Sequence, residues 1–573
     1  MIKKLFLFVL LFVLTILPRF VFLNNVPVAI NNDELHYVLN AKSFFVTGKD
    51  ITGKISPLDV LLFKYPSDEM IQSELPYFLE MSIFGPINFS LAGLALPNAI
   101  LGILTIALIY LITKKLFDEK TAFVAGFIAA LNPWLIFVSR TSYEAGAAIP
   151  FFLGILYLLL VTKGWRILLT IPIAFLAFYS YIGTKLIFVP FMFLSILYAY
   201  LYVNKRKYLK QYAMLFVLSL LLTLFFVFQI KQIPGARTSE ILTPNNPRII
   251  KQVNDMRATT IQNPLMTFSE NKYYVYLTIL AKNTFNALSP YYLFAGGDYF
   301  YLIGLHGIFY YVDVVFLVIG LMTLVIKRRK ELIFLGFLIG LSLLPQIFHD
   351  PNGTGSFTPH ITLLIPFLIL PIAFGISKSL ELVKNKNFRR IFMVCLVFTY
   401  LFLFVSFLNS YFFRFPLQEG TFAMPNRILS KYLSFKDNAN RKIVVYSTNP
   451  MLDFKKFLFY SNGYYKKNVG LINESLARGN YVYKNITFLS CNNSSEITQN
   501  ALFIDDMICG RTPLSGAINI TQIKDSGVVY RIYNDKICSK YSLPRFISGL
   551  KLSDLAIESL SQEDFCKKFI VSY

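Results

Sequence analysis

The sequence is short of charge, and shortest of acid: only 15% of its 573 residues are charged, and 32 Asp and Glu stand against 55 Lys and Arg. It has two Trp, four His and five Cys. An ordinary soluble domain carries about 25% charged residues, so this chain lacks the polar surface to be one. The 55% hydrophobic share and the mean hydropathy of +0.54 agree. What charge there is leaves blocks of about 20 residues almost bare, the length an α-helix needs to cross a hydrocarbon core of about 30 Å. Ionisable groups inside those blocks are nearly missing, and so are internal inverted repeats. Both absences argue against a pump or transporter, which places such groups at mid-membrane. The formal charge of +23 is not a nucleic-acid footprint, because the basic residues cluster in short connections between apolar blocks.

Membrane spans are expected near 5–23, 91–113, 121–138, 145–161, 167–183, 186–203, 211–229, 301–326, 332–348, 360–377 and 391–410, about eleven helices of membrane-crossing length. Alternate connections are basic: Lys114, Lys115 and Lys120; Lys163 and Arg166; Lys205, Arg206, Lys207 and Lys210; Lys327 to Lys330; Lys378 to Arg390. Those are expected to face the cytoplasm, and the connections of opposite parity, with only Arg140 and Lys185, to face out. The first block follows Lys3 and Lys4 as a signal peptide would. It lacks a small-x-small cleavage site and contains Pro18 and Arg19, so it is read as a retained first helix.

This topology puts the long loops 24–90 and 230–300, and everything after about Tyr411, outside the cell membrane. The expected organisation is a transmembrane domain over 1–410 and an extracytoplasmic carboxyl-terminal domain over 411–573. In that tail, runs such as Lys442–Ser447 and Val528–Tyr533 are strand-like and Leu552–Phe565 is helix-like, which suggests a small α/β or α+β fold. Cys395 lies within the last span, while Cys491, Cys509, Cys538 and Cys566 form an even set in the tail, suited to disulfides in an oxidising compartment. The pairings 491–509 and 538–566 are one of three arrangements, and chance placement of four thiols is the plainer alternative. No zinc-type close spacing occurs among them.

The charged residues that look placed sit at the outer ends of spans. Asn31-Asn32-Asp33-Glu34-Leu35-His36-Tyr37 follows the first span and opens a helical pattern. Acids at a helix start can simply answer its dipole. Alternatively, one carboxylate takes the proton from an attacking hydroxyl. Asp68-Glu69 reads as a solvated turn; Glu74-Leu75-Pro76 has the stronger claim to a site. Further on come Asn132-Pro133 through Ser139-Arg140-Thr141 to Glu144, then Tyr179-Ser-Tyr181-Ile-Gly-Thr-Lys185. Leu288 to Asp298 follows, with His306-Gly307 beyond it.

In order and placement, with Arg19 and Pro27, this set resembles the lipid-carrier-dependent glycosyltransferases of the GT-C class, family-39-like. That group includes the protein O-mannosyltransferases and the lipid A aminoarabinose transferases. The resemblance covers most of 15–375. It implies a GT-C-like helical membrane protein whose first outer loop is catalytic, with Asp33 as general base and Glu34 beside it positioning the site. The donor it implies is a polyprenyl- or dolichyl-phosphate sugar, hexose or pentose, and the acceptor a hydroxyl of protein, lipid or glycan. Direct displacement inverts the anomeric carbon. A departing phosphate needs cations more than a strong acid, and Arg140, Lys185, His306 and His360 are the candidates, arginine being the better phosphate partner.

Tyr179 and Tyr181, near Lys185, are candidates to line the sugar or carrier groove; the plainer readings are belt aromatics for these two, an interfacial anchor for Arg140, a snorkelling anchor for Lys185 and a helix-start residue for His360. Arg237 and Arg257 read as loop charges. The chain departs from the family pattern ahead of the tenth span. An arginine is expected there, and Phe357-Thr-Pro-His360-Ile-Thr-Leu-Leu-Ile-Pro366 offers only a histidine. Asp298 is expected to shape the long outer loop. Asp33, Glu34, Glu74 and Glu144 could converge on a divalent metal, although no ligand spacing demands one. The competing functions are an oligosaccharide ligase using lipid diphosphate sugars, a flippase for lipid-linked sugars, and a non-catalytic membrane scaffold whose tail binds a partner.

Overall fold

The structure, a computed structural model, describes all residues except 1, 67–71, 205, 232, 234–240, 299–305, 350–356, 419–421, 493–500, 511–515 and 573. Asp68, Glu69 and Arg237 lie outside the described residues. Among those described, seven helices are long and apolar enough to cross a membrane, and the protein is a multi-pass membrane protein.

The chain opens with α1 (Ile2–Phe20), then a loop carrying α2 (Asn32–Thr47), α3 (Pro57–Leu61) and α4 (Leu75–Phe84). The bundle follows with α5 (Leu91–Leu116), α6 (Glu119–Leu131), α7 (Pro133–Val138), α8 (Glu144–Val161), α9 (Thr170–Ser180), α10 (Ile182–Tyr198) and α11 (Leu209–Ile230). A second loop holds α12 (Pro247–Ala258), α13 (Met266–Ser269) and α14 (Lys272–Ala287). The bundle then closes with α15 (Tyr311–Lys327), α16 (Arg329–Ile347), α17 (Leu364–Leu382) and α18 (Lys386–Asn409).

Length and composition pick out α5, α8, α10, α11, α16, α17 and α18 as crossings. The other expected spans fall on α1, on α9 with the turn before it, on α15, and on α6 with α7. That last pair corrects the expectation of a single helix over 121–138. Asn132 leaves helical geometry (φ −64, ψ 126), its side chain caps Leu135 N, and Pro133 starts a new helix. Close backbone approach holds α15 to α17: a Cβ on Gly320 would lie 1.9 Å from the Pro371 carbonyl oxygen, and one on Gly375 would lie 2.0 Å from that of Phe316. Small residues do this work where no hydrophobic drive separates helix from lipid. The basic ends of α1 and α5 meet at Glu119, 2.6 Å from Lys4 Nζ and 3.2 Å from Lys114 Nζ.

Beyond α18 the tail holds α19 (Pro425–Leu433), α20 (Pro450–Tyr460), α21 (Val469–Ala477) and α22 (Gln562–Phe569). Its strands are β1 (Ile443–Ser447), β2 (Tyr481–Tyr483), β3 (Ile486–Ser490), β4 (Leu502–Asp506), β5 (Ile518–Thr521), β6 (Val528–Tyr533) and β7 (Val571–Ser572). They form one mixed sheet in the order β2-β3-β1-β4-β6-β5-β7. Both expected strands appear, as β1 and β6. The expected helix over 552–565 is instead two 3₁₀ turns followed by α22. Disulfides join Cys491 to Cys509 and Cys538 to Cys566. The first crosses from the end of β3 to the turn after β4, over the carboxyl end of β1, which lies between them.

The sheet domain is fastened to the first loop. Arg427 Nη1 donates to Val28 O (2.6 Å), and its guanidinium also pairs with Glu558. Ile30 N donates to Tyr460 Oη at 2.8 Å, and Asn473 Nδ2 to Ser43 Oγ at 3.0 Å. The peptide groups just before α2 are thus fixed from above by the tail and from below by the bundle.

Candidate active site

The start of α2 has a local cause. Asn31 Oδ1 accepts from Glu34 N (2.8 Å) while Glu34 Oε2 accepts from Asn31 N (3.0 Å), a reciprocal cap. Glu34 Oε1 accepts from Ser142 N at 2.7 Å, which ties α2 to the loop before α8. Burial pushes this carboxyl up to about 7, against the pull of the two amides. Glu34 is therefore the acid that answers the helix start. Asp33, one residue earlier in the same turn, is only half-buried. Ser142 turns its hydroxyl to Glu80, also buried, and burial holds that carboxyl well above the usual range.

One turn along α2, Tyr37 is buried. Burial, then the charges of Glu144, Tyr77 and Asp33, keep its hydroxyl un-ionised. Its oxygen accepts from Ser73 N at 3.3 Å, and Ser73 Oγ accepts from Ile182 N at 2.9 Å. Ser73 Oγ also reaches Glu144 Oε1, 3.5 Å away in the first turn of α8. A polar path thus runs from Tyr37 through Ser73 to the start of α10, with Asp33 one turn earlier on α2.

Lys185 on α10 is not the open phosphate cation expected of it. Its Nζ lies 2.6 and 2.5 Å from the two carboxylate oxygens of Glu74. The rings of Phe226, Phe63, Phe178 and Tyr179 stand 4.4 to 5.8 Å from the same nitrogen. The pair is buried, and the lysine charge is already balanced by Glu74.

Arg140 also departs from expectation. Its guanidinium donates to the carbonyls of Pro18 (2.7 Å), Val26 (2.8 Å) and Phe22 (3.3 Å) and stacks over Phe412 at 4.9 Å. It closes the carboxyl end of α1, where free carbonyls and the helix dipole favour a cation. His306 packs edge-on against Phe407 of α18 and does not line the cavity that holds His360. Its carbonyl oxygen would be 1.9 Å from a Cβ on Gly297, whose φ of +63 already calls for glycine. Asp298 Oδ2 accepts from Thr358 N (2.9 Å) and Oγ1 (2.6 Å), so it pins the turn that carries His360.

That turn borders a cavity of about 470 Å³ between α10, α11 and α16. Its walls are apolar, among them Leu186, Phe226, Val227, Ile230 and Phe348, and its polar groups are Tyr181, Lys185, Lys231, His349 and His360. The imidazoles of His349 and His360 meet at 4.4 Å between centroids, and Tyr181 lies parallel to His360 at 6.5 Å. Of the expected residues, Tyr181, Lys185 and His360 come together here. His349 was not singled out from the sequence. The signal available was its place at the other end of the same short 349–359 connection as His360. Such a lining, apolar with a histidine pair set in it, suits an amphiphile.

The four acids do not converge as a metal site. Among the described residues, no three His, Cys, Asp or Glu side chains are grouped to hold a metal ion. Glu74 is committed to Lys185 and Glu34 to two backbone amides.

No family model matches the chain, and no curated protein matches it. Solved structures do. ArnT from Cupriavidus metallidurans bound to undecaprenyl phosphate aligns over 91% of this chain and 97% of its own, at 11% identity and a TM-score of 0.50. The apo structure of the same protein gives 0.46 at 11% identity, again over 91% and 97%. The oligosaccharyltransferase AglB from Archaeoglobus fulgidus, in complex with an inhibitory peptide and a dolichol-phosphate, aligns over 93% of this chain and 75% of its own, at 13% identity and 0.43. The first likeness shows the fold: a GT-C-like polytopic helical protein with a carboxyl-terminal sheet domain.

Proposed function

We propose that the chain is a membrane glycosyltransferase that moves a sugar from a polyprenyl- or dolichyl-phosphate carrier to a hydroxyl acceptor on protein, lipid or glycan. The observation that carries this reading is the apolar cavity whose lining includes the paired His349 and His360 and also Lys231 and Ile182; Ile182 N is bonded to Ser73 Oγ, and Ser73 N to Tyr37, one turn along α2 from Asp33. An isoprenoid chain matches the walls and a phosphate matches the basic end. ArnT, which shares the fold, has been solved bound to undecaprenyl phosphate.

In this reading Asp33 takes the proton of the acceptor hydroxyl as its oxygen bonds to the anomeric carbon. The bond from that carbon to the phosphate oxygen breaks with its electron pair, so the carrier leaves as polyprenyl phosphate and the configuration inverts. His349, His360 and Lys231 hold the phosphate as its charge grows. Glu34 sets the start of α2 against the 139–144 loop and so places Asp33. The catalytic face is extracytoplasmic in the cell membrane, opposite the basic loops, a placement that suits the two disulfides of the tail.

The test is sugar transfer from radiolabelled polyprenyl-phosphate sugars by purified protein, with crude envelope as acceptor, comparing wild type with Asp33→Asn. Loss of about 10²–10⁴-fold in turnover with donor binding intact is the expected outcome. Transfer indifferent to Asp33 would remove it as base, and no transfer from any donor would overturn the function.

A further inference from the structure

A second cleft, of about 270 Å³, lies where the sheet domain meets the first loop, and it shares no lining residue with the cavity between α10, α11 and α16. It is built on the clamp itself. Arg427, which holds Val28 O, its counter-ion Glu558, and Tyr460, which holds Ile30 N, all line it. Phe89 and Phe459, stacked at 5.3 Å between centroids, add an aromatic side. Pockets for drug-sized ligands start at about 300 Å³, so an occupant here is small, about one or two sugar rings in size.

The polar groups of the lining have hydrogen bonds to spare. Tyr460 Oη accepts from Ile30 N at 2.8 Å, and its own hydrogen has no acceptor among the described residues. Ser90 Oγ likewise accepts from Gly93 N (3.0 Å) and donates to none of them. Asn24 Oδ1 accepts from Ala92 N (3.0 Å), which fixes the amide and leaves its Nδ2 hydrogens without a protein acceptor among the described residues. Against these donors stands one carboxylate. Glu558 takes two parallel bonds from the guanidinium of Arg427, and each of its oxygens keeps a further lone pair. Its side chain is 46% exposed while that of Arg427 is 2% exposed, so the acid, not the base, is open to a ligand.

These features select a chemistry. The two charges in the lining cancel, so a phosphate or an ammonium finds no unpaired counter-ion there. A hydroxyl both donates and accepts: it gives its proton to Glu558 and takes one from Tyr460, Ser90 or Asn24. A sugar ring carries several hydroxyls at its rim and C–H groups on its faces for the aromatic side. We infer that this cleft binds a neutral sugar unit of the acceptor, away from the reacting hydroxyl, which makes the acceptor a glycan. Three residues of chain span at most about 11 Å, so Tyr460 Oη, bonded to Ile30 N, lies a short oligosaccharide's length from Asp33. The sugar site rests on the cleft alone; its assignment to the acceptor rests on the transferase reading.

The test uses the full chain in phosphatidylcholine nanodiscs, free of sugar-headed detergent, and saturation-transfer NMR with maltotriose, chitotriose and mannotriose, with trigalacturonate as the charged comparison. Saturable signal from at least one neutral trisaccharide and none from trigalacturonate is expected. Ser559→Trp, at an exposed position of the lining, should abolish that signal, and Tyr460→Phe should weaken binding roughly two- to tenfold, the worth of a neutral hydrogen bond. An unfolding temperature at the wild-type value checks that Ser559→Trp is folded. No saturable signal from any trisaccharide, or a signal that Ser559→Trp leaves unchanged, would overturn the site. Trigalacturonate binding as well as the neutral sugars would overturn the chemistry assigned to it. In the transfer assay with crude envelope, Ser559→Trp should raise the acceptor concentration for half-maximal rate by roughly tenfold, and an unchanged value would overturn the acceptor role. Trisaccharide binding without transfer from any donor would uphold the sugar site and overturn the transferase reading instead.

Discussion

Lys185 and Glu74 are each other's counter-ion inside a ring of four aromatics, with side chains 3% and 0% exposed. Breaking a buried pair by removing one partner leaves an uncompensated charge and costs about 3–5 kcal/mol, while replacing both by apolar residues is often neutral. Lys185→Ala is therefore expected to lower the unfolding temperature in detergent sharply, and Glu74→Leu with Lys185→Met to restore it. Donor binding by the restored double variant decides the role of the lysine. Affinity at the wild-type level is expected; its loss would return Lys185 to the phosphate.

Glu34 makes the junction between α2 and the 139–144 loop sensitive to pH. Its carboxyl, at about 7 when folded, lies above its ordinary value of 4.5 because of burial. The folded state thus holds the proton more tightly than the unfolded one. The stability this contributes is complete below pH 4.5 and is lost as pH rises through about 7, a change of about 3 kcal/mol. Glu80, raised for the same reason, extends the decline to higher pH. Glu34→Gln is expected to flatten the slope of unfolding temperature against pH between 5 and 8. An unchanged slope would show that Glu34 is ionised in the folded protein.

The elements were legible where the signal is local. The apolar blocks located the bundle, the Asn31 to Glu34 segment announced a helix start, and the runs at 442–447 and 528–533 became β1 and β6. The break within the third block is visible in Asn132-Pro133, but a continuous apolar run on both sides reads as one span. What spacing does not carry is the partner a charge finds across the fold. Arg140 meets carbonyls more than a hundred residues away, and Lys185 meets Glu74 on α4's approach. Both looked like available cations because the groups that hold them lie far away in sequence. His349 was hidden for the opposite reason: a histidine counted as neutral left its connection looking empty of cations.

His349 and His360 are the last step. Their rings touch at the polar end of the apolar cavity, where the family pattern leads one to expect an arginine. An arginine fork grips a phosphate by itself through two parallel bonds, whereas an imidazole offers one N–H toward a given ligand. Two imidazoles side by side supply the pair of donors that one guanidinium would. The cost of losing one is then the cost of a charge-assisted hydrogen bond, about 1.5–3 kcal/mol, or roughly ten- to hundredfold in affinity. His349→Ala and His360→Ala are each expected to weaken polyprenyl phosphate binding by that factor, measured by displacement of a radiolabelled carrier from the purified protein. The double variant should fall less than the product of the two, since a lone imidazole has already lost the paired grip. His306→Ala, at a site against α18 rather than in the cavity, should leave the affinity unchanged. Equal losses at 306 and 360 would show that the phosphate is held elsewhere.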